Sequence, residues 1–274
     1  PDAVRVHNVQ VLAMSLNDAE AQAYARAYFE AERTRAPIEP IGEANPGLTL
    51  DDAYRIQDAF VALHVALGLH PFGIKVGSTS KAAQRRFKTD EPAIGTLFLQ
   101  RQVANGGTVA TERLIAPRIE CEIAVRMGRD LKGPGVTPEA AEAAFGSLMG
   151  AFEIIDARTK DWRIKGVELV ADNAVNTGFV LGPERPAQGL DAAGVSVMFG
   201  REGDKPTYGS GASVLGGPKF VIAWLANWLG QRGKVLKAGT VVLTGSLSEI
   251  LPANKGDRFT AEFTPLGEVE VRFG

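Results

Sequence analysis

Arg118-Ile119-Glu120-Cys121-Glu122-Ile123-Ala124, continued by Val125-Arg126-Met127, alternates in chemistry and reads as one β-strand. Successive strand side chains point to opposite faces, so Glu120 and Glu122 share one face and Ile119, Cys121 and Ile123 the other. Two carboxylates side by side among apolar residues repel each other, and burying them is costly without a cation. A second apolar run, Met149-Gly150-Ala151-Phe152-Glu153-Ile154-Ile155, puts Glu153 under the same cost. A divalent ion resolves the conflict. Three oxygen ligands suit Mg²⁺ or Mn²⁺, with positions left for water and substrate. The three histidines, His7, His64 and His70, lie in none of these runs, which disfavours zinc or iron. A half-exposed strand satisfies the same pattern, with Glu120 and Glu122 on a wet face beside Arg118 or Arg126. Asp156 and Arg158 could likewise form a surface ion pair, and on the residues alone these alternatives stay open.

Outward from that strand the pattern divides the chain. Ser15 and Asp18 fit a capping box opening a helix to about residue 34, and Pro37, Pro40 and Pro46 follow as a stiff linker. Thr49 and Asp52 form a second box before the stripe Tyr54, Ala59, Phe60, Leu63 and Leu67, which Gly68 closes. Residues 1–70 are therefore expected as a helical N-terminal region and 71–274 as a β-rich catalytic domain. Strands are expected at 72–77, 94–99, 118–127, 148–157, 178–181, 195–199, 240–243, 257–263 and 268–273, with a short helix at 80–87. Pro218 starts a helix whose Phe220, Val221, Trp224, Leu225, Trp228 and Leu229 recur at the helical period and read as core. The fold class is α+β, not alternating βαβ units.

Composition narrows the partners. Of 274 residues, 30 are Lys or Arg and 32 are Asp or Glu, giving a net charge of −2, without the basic excess that nucleic-acid binding usually shows. No apolar run approaches the ~18 residues of a membrane span. The apolar stretch at 9–14 is too short and polar-flanked for a secretory signal. Cys121 stands alone, which rules out an intrachain disulfide or a thiolate zinc site and suits a reducing cytoplasm.

Other residues carry candidate chemistry. Gly73-Ile74-Lys75-Val76-Gly77 puts one lysine on a strand face between glycines that allow close approach. A desolvated lysine near a metal is expected to have a lowered pKa and to move protons near neutral pH, although an edge-strand lysine gives the same pattern. Asn173, after Asp172, suits a carboxylate, a water or a turn. Thr244-Gly245-Ser246 ends a strand with small donors suited to gripping a carboxylate. No Gly-x-Ser-x-Gly elbow is present, and Gly209-Ser210-Gly211 lacks the context of a nucleotide loop.

Leu48-Thr49-Leu50-Asp51-Asp52-Ala53-Tyr54-Arg55-Ile56-Gln57, Gly73 to Ser80, Pro117 to Ala124, Glu153-Ile154-Ile155-Asp156-Ala157-Arg158 and Ala171-Asp172-Asn173-Ala174 occur together in one order. In this the chain resembles the 2-keto-4-pentenoate hydratase and 4-oxalocrotonate decarboxylase family, relatives of the fumarylacetoacetate hydrolase fold, over about residues 15–274. The resemblance implies a mixed β-roll or barrel core, Glu120, Glu122 and Glu153 as metal ligands, and Lys75 as an acid–base residue. It implies Asn173 as a second catalytic group, and Thr79, Ser80, Asn173 and Ser246 beside Lys75 as substrate contacts. It also implies a homo-oligomer, often a pentamer or decamer, with a complex with a pathway homologue as a further expectation. Lys160-Asp161-Trp162 leans toward the hydratase branch. Two positions depart from the hydratase pattern: Ala93 stands where Asp is frequent, and Val175 where Ser is frequent.

The expected activity is a Mg²⁺- or Mn²⁺-dependent hydro-lyase adding water to a 2-hydroxy-2,4-dienoate from aromatic meta-cleavage degradation. Decarboxylation of a 2-oxo-enedioate is the second reading. Carbon–carbon hydrolysis, which needs a water activated typically by a His–Glu pair, with only His64 and His70 near the lysine strand, and an inactive metal-holding scaffold are the others.

Overall fold

A computed structural model describes residues 16–274. Seven helices occur among them: α1 (Asp18–Thr34), α2 (Ile41–Ala44), α3 (Leu50–Ala66), α4 (Lys81–Phe87), α5 (Pro138–Glu142), α6 (Gly166–Ala171) and α7 (Pro218–Gln231). The strands are β1 (Pro71–Gly77), β2 (Ala93–Phe98), β3 (Gln102–Val103), β4 (Thr108–Val109), β5 (Arg118–Met127), β6 (Phe145–Ile155) and β7 (Asn176–Leu181). They continue as β8 (Arg185–Pro186), β9 (Ser196–Arg201), β10 (Thr207–Ser210), β11 (Val241–Ser246), β12 (Leu251–Pro252), β13 (Arg258–Thr264) and β14 (Gly267–Phe273). The mixed α+β class and the β-rich body are as expected.

Capping decides where the N-terminal helices begin. Thr49 and Asp52 exchange both bonds of their box as anticipated. In α1 the box is Asn17 with Glu20, two residues beyond the expected pair, so the helix starts at Asp18. Ser15, His7 and the run at 9–14 lie outside the described residues. Helices α5 and α6, five and six residues long, have no counterpart in the sequence reading because so short a segment shows no period. On α7, Val221, Leu225, Trp228 and Leu229 are buried as expected, but Phe220 is 40% exposed and belongs to the surface.

The strands form two sheets. The larger runs β2-β1-β11-β5-β6-β7-β3, with β12 beside β5 and β8 beside β6; the smaller runs β10-β9-β13-β14-β4. Alternation on β5 sends Ile119, Cys121, Ile123 and Val125 into the main core, shared with Phe199, Phe259 and Phe263 of the smaller sheet and with α7. The opposite face contributes Ala124 to a small cluster with Leu97, Met149, Ala151, Phe179, Val241 and Leu243. These seven residues come from five strands, β2, β5, β6, β7 and β11, and β2 approaches β7, so the larger sheet curls into a half-barrel around them. Gly73 makes part of this possible, since a Cβ there would sit 2.4 Å from the Val241 carbonyl of β11.

Helices α1 and α3 pack together against one end of this half-barrel. Their Ala25, Tyr28, Ile56 and Phe60 share one apolar cluster with Ala93, Ile155, Leu169, Ala174 and Val175. The helical layer therefore rests on the segments that flank Lys75 and Glu153. Among the described residues no helix is long and apolar enough to cross a membrane.

A candidate metal centre on the concave face

Register brings the acidic residues together. β5 and β6 run antiparallel with Glu120 opposite Glu153, and Glu122 lies opposite Ser246 of β11 across the other edge of β5. Carboxylate oxygens of Glu120, Glu122 and Glu153 lie within 4.8 Å of one another. Glu120 is 8% exposed and the other two are fully buried, which overturns the wet-face alternative. The surface-pair reading of Asp156 and Arg158 fails likewise. Both are buried; Asp156 accepts from the Ile115 and Ala116 amides, and Arg158 pairs with Asp172 and Glu32.

Glu122 and Glu153 are held by different kinds of partner. The Gly245 amide donates to Glu122 Oε2 at 2.7 Å, so the Thr244-Gly245-Ser246 corner grips a carboxylate of the protein itself. Gly245 has φ +106°, and a Cβ there would meet Thr79 Oγ1. Asn176 Nδ2 donates to Glu153 Oε1 at 2.8 Å. Glu122 Oε1 accepts no hydrogen bond, and neither does Glu153 Oε2, which lies 3.2 Å from Lys75 Nζ without hydrogen-bond geometry. Two unsatisfied buried carboxylate oxygens facing a third carboxylate form the donor set of a hard divalent cation. The residues present fit such an ion.

The charges respond accordingly. Burial, then the Glu153 charge, pushes the Glu120 carboxyl up to about 7, with Lys75 opposing. Burial and the charges of Glu153 and Glu120 hold Glu122 well above the usual carboxylate range. Lys75 departs from expectation. Burial alone would depress it, but Glu153, Glu120 and Glu122 outweigh burial and raise it above its ordinary value. Without a cation among the glutamates, the ammonium is their counter-charge and stays protonated.

Lys75 also donates to the Ala174 carbonyl at 2.9 Å. That carbonyl is aimed by an unusual turn: Asn173, Ala174 and Val175 all have φ near +50°, a left-handed conformation costing roughly 1–2 kcal/mol per non-glycine residue. Asn173 locks the turn to β2. Its Nδ2 donates to the Thr96 carbonyl at 2.9 Å, and its Oδ1 accepts from the Thr96 amide at 2.7 Å. Both ends of the amide are thus engaged, so the expected catalytic and substrate-gripping role of Asn173 does not match its side chain, which instead positions the neighbouring carbonyl.

A cavity of about 150 Å³ opens from Lys75 and Glu120 and is lined by Ser78, Thr79, Ser80, Ser246 and Ser248 on its polar side. Three of the expected contacts, Thr79, Ser80 and Ser246, therefore line the same cavity as Lys75. The Ser80 hydroxyl also caps α4, and the Ser246 hydroxyl donates to the Ser248 carbonyl. Ile155, Leu169, Val175 and Ile250 supply its apolar wall, and Arg86, Arg118 and Trp162 line it too. No histidine lines it among the described residues. His64, though paired with Glu32 at 3.1 Å, faces Phe29, Phe60 and Phe98, which leaves carbon–carbon hydrolysis without its base. A larger cavity of about 440 Å³, lined by Arg101, Asp156 and Arg158, contains none of the three glutamates.

Sequence reasoning missed Asn176, the Gly245 amide and the Ala174 carbonyl. Two of these are backbone groups, which no side-chain pattern reveals; Asn176 could have been found only from its place opposite Ile155 at the start of β7.

Comparison with known proteins agrees with this geometry. The family described as fumarylacetoacetate (FAA) hydrolase, C-terminal, matches residues 72–273. The chain is 38% identical over 249 residues to the 2-hydroxyhexa-2,4-dienoate hydratase of Comamonas testosteroni, covering 89% of this chain and 94% of that one. It is 36% identical over 258 residues to the 2-oxo-hept-4-ene-1,7-dioate hydratase of Escherichia coli, covering 91% and 96%. The 4-oxalocrotonate decarboxylase from Pseudomonas putida G7, solved with magnesium and adipate, superposes with a TM-score of 0.91 at 32% identity over 94% of this chain and 99% of that one. With the half-barrel, the buried glutamates and the full-length relatives in agreement, the chain belongs to the fumarylacetoacetate hydrolase family.

Proposed function

We propose that the chain is a divalent-metal-dependent hydro-lyase that adds water to a 2-hydroxy-2,4-dienoate, as in aromatic meta-cleavage degradation. The observation that carries this reading is the trio Glu120, Glu122 and Glu153, buried within 4.8 Å of one another with two oxygens unsatisfied, beside Lys75 and a small cavity. The names and full-length coverage of the hydratase relatives support it. Glu120, Glu122 and Glu153 would hold Mg²⁺ or Mn²⁺; such an ion supplies Lewis-acid stabilisation of negative charge on the substrate's 2-oxygen.

The chain's own residues do the rest. Lys75 Nζ, fixed between Glu153 and the Ala174 carbonyl, holds a proton at the edge of the cavity and can deliver it to or withdraw it from the substrate during ketonisation. Thr79, Ser80 and Ser246 offer hydroxyls to the substrate's polar head. Val175, Leu169 and Ile250 exclude bulk water from its carbon chain. Asn173 acts at one remove, by holding the turn that aims Ala174. A cytoplasmic homo-oligomer, pentamer or decamer, completes the proposal and rests on the family resemblance.

Decarboxylation of a 2-oxo-enedioate is the second reading. The near-complete superposition on 4-oxalocrotonate decarboxylase favours it, as does Ala93, which is buried in the helical cluster and offers no carboxylate to the cavity. Incubation with Mg²⁺ and 2-hydroxypenta-2,4-dienoate, then with 2-oxohex-3-enedioate, separates the two. Loss of the diene chromophore with a hydrated product supports the hydratase; carbon dioxide release from the second substrate with no hydration of the first overturns it.

A further inference from the structure

The cavity's mouth carries charge that the reaction just described does not use. Arg118 opens β5, two residues before Glu120 and on the same strand face, so its Cα lies about 6.6 Å from that of Glu120. Its guanidinium stacks 4.2 Å over the Trp162 ring, and Trp162 is itself anchored by a bond from Nε1 to the Ala116 carbonyl at 3.1 Å. Arg86, in the last turn of α4, lines the same cavity from the other side. Among the described residues neither guanidinium has a carboxylate within ion-pair distance, and the only acid lining the cavity is Glu120. An arginine stacked on an aromatic ring keeps its fork of donors presented edge-on, the geometry that receives a carboxylate in two parallel bonds.

Charge balance points the same way. The three glutamates are offset by Lys75 and one divalent cation, which leaves the two guanidiniums uncompensated. A monoanionic substrate would answer only one of them. A dianion answers both, with its 2-oxo-acid head at the glutamates and a second carboxylate at the arginines; a chain of six or seven carbons spans about the 6.6 Å of two strand residues plus the reach of the side chains.

We propose that Arg86 and Arg118 form a subsite for a distal carboxylate, so that the preferred substrate is a 2-hydroxy-2,4-diene dicarboxylate and not the corresponding monoacid. This rests on the hydratase reading for the identity of the head group, and the test separates the two. Binding of 2-oxoadipate and of 2-oxohexanoate to the Mg²⁺-loaded protein is measured by calorimetry. The parent is expected to favour the dicarboxylate by about tenfold or more, the scale of a charge-assisted bond pair. Arg86→Gln and Arg118→Gln should each cut that preference by about tenfold, with Arg118→Lys recovering part of it. Arg86 is exposed, so R86Q carries the test if R118Q fails to fold. A parent that binds both acids equally, or a preference untouched by R86Q, overturns the proposal. Because the readout is a binding ratio, absence of turnover would count against the hydratase reading alone.

Discussion

Replacing Lys75 by Ala isolates the chemistry from the metal seat. In the parent its ammonium lies 3.2 Å from Glu153 Oε2 and donates to the Ala174 carbonyl, with 3% of the residue exposed. If Lys75 moves the proton, turnover should fall by the ~10²–10⁴-fold of general acid–base catalysis. That corresponds to about 3–5 kcal/mol in the barrier. Magnesium affinity should hold or tighten, because the ammonium no longer competes with the ion for Glu153. Stability should fall by up to about 3–5 kcal/mol at pH 8 in the metal-free protein, the cost of stranding buried charge. The loss should be smaller at pH 6, where a proton on Glu120, with its pKa at about 7, replaces the missing cation. Steady-state kinetics, magnesium calorimetry and thermal melts at the two pH values give the three readouts. Turnover within tenfold of the parent, or lost magnesium binding in a folded variant, would refute the reasoning.

Other consequences follow from the same geometry. Glu120 is raised from an ordinary 4.5 to about 7 and Glu122 is likewise held well above its ordinary value, so the folded state holds their protons more tightly than the unfolded chain. Their contribution to stability is thus present below about 4.5 and lost as pH rises through about 7. The metal-free melting temperature should fall across that window, and magnesium binding near pH 6.5 should release protons, seen as a buffer-dependent heat in calorimetry. Asn176→Leu removes the donor to Glu153 Oε1 and should weaken magnesium binding ~10–100-fold, as loss of a ligand's supporting partner does. Asn173→Ala unpairs both backbone groups of Thr96 and should cost about 2–4 kcal/mol by denaturant titration, with magnesium affinity much less affected.

The residues that carry charge at the site were legible because their cost is written in the sequence. Glu120, Glu122 and Glu153 stand in apolar runs where a carboxylate needs either a cation or a wet strand face, and only their burial decides between the two; Lys75 stands between glycines, one of which lets a neighbouring backbone close in. Strand register, which puts Glu120 opposite Glu153, could not be read, since nothing local to β5 specifies its partner. Lys75 does stand beside the glutamates, and with no ion among them its pKa is raised, because the lysine and three carboxylates titrate as a group; the lowering expected beside a bound metal applies to a different charge state of the site. Asn173 was singled out for its chemistry, while its work is conformational: it fixes three left-handed residues that no propensity argument would have assigned to Ala and Val. The α1 start was missed by two residues because two overlapping Asx/Ser boxes fall within the six positions 15–20, and Asn17 with Glu20 closes both bonds.

The central claim is that three glutamates seat one divalent cation. Anomalous diffraction from crystals soaked in Mn²⁺ tests it directly. A single strong peak is expected between the Glu120, Glu122 and Glu153 carboxylates, with oxygen distances of about 2.0–2.2 Å for a six-coordinate ion. A peak confined to another part of the chain, with the three carboxylates vacant at saturating Mn²⁺, would contradict the account.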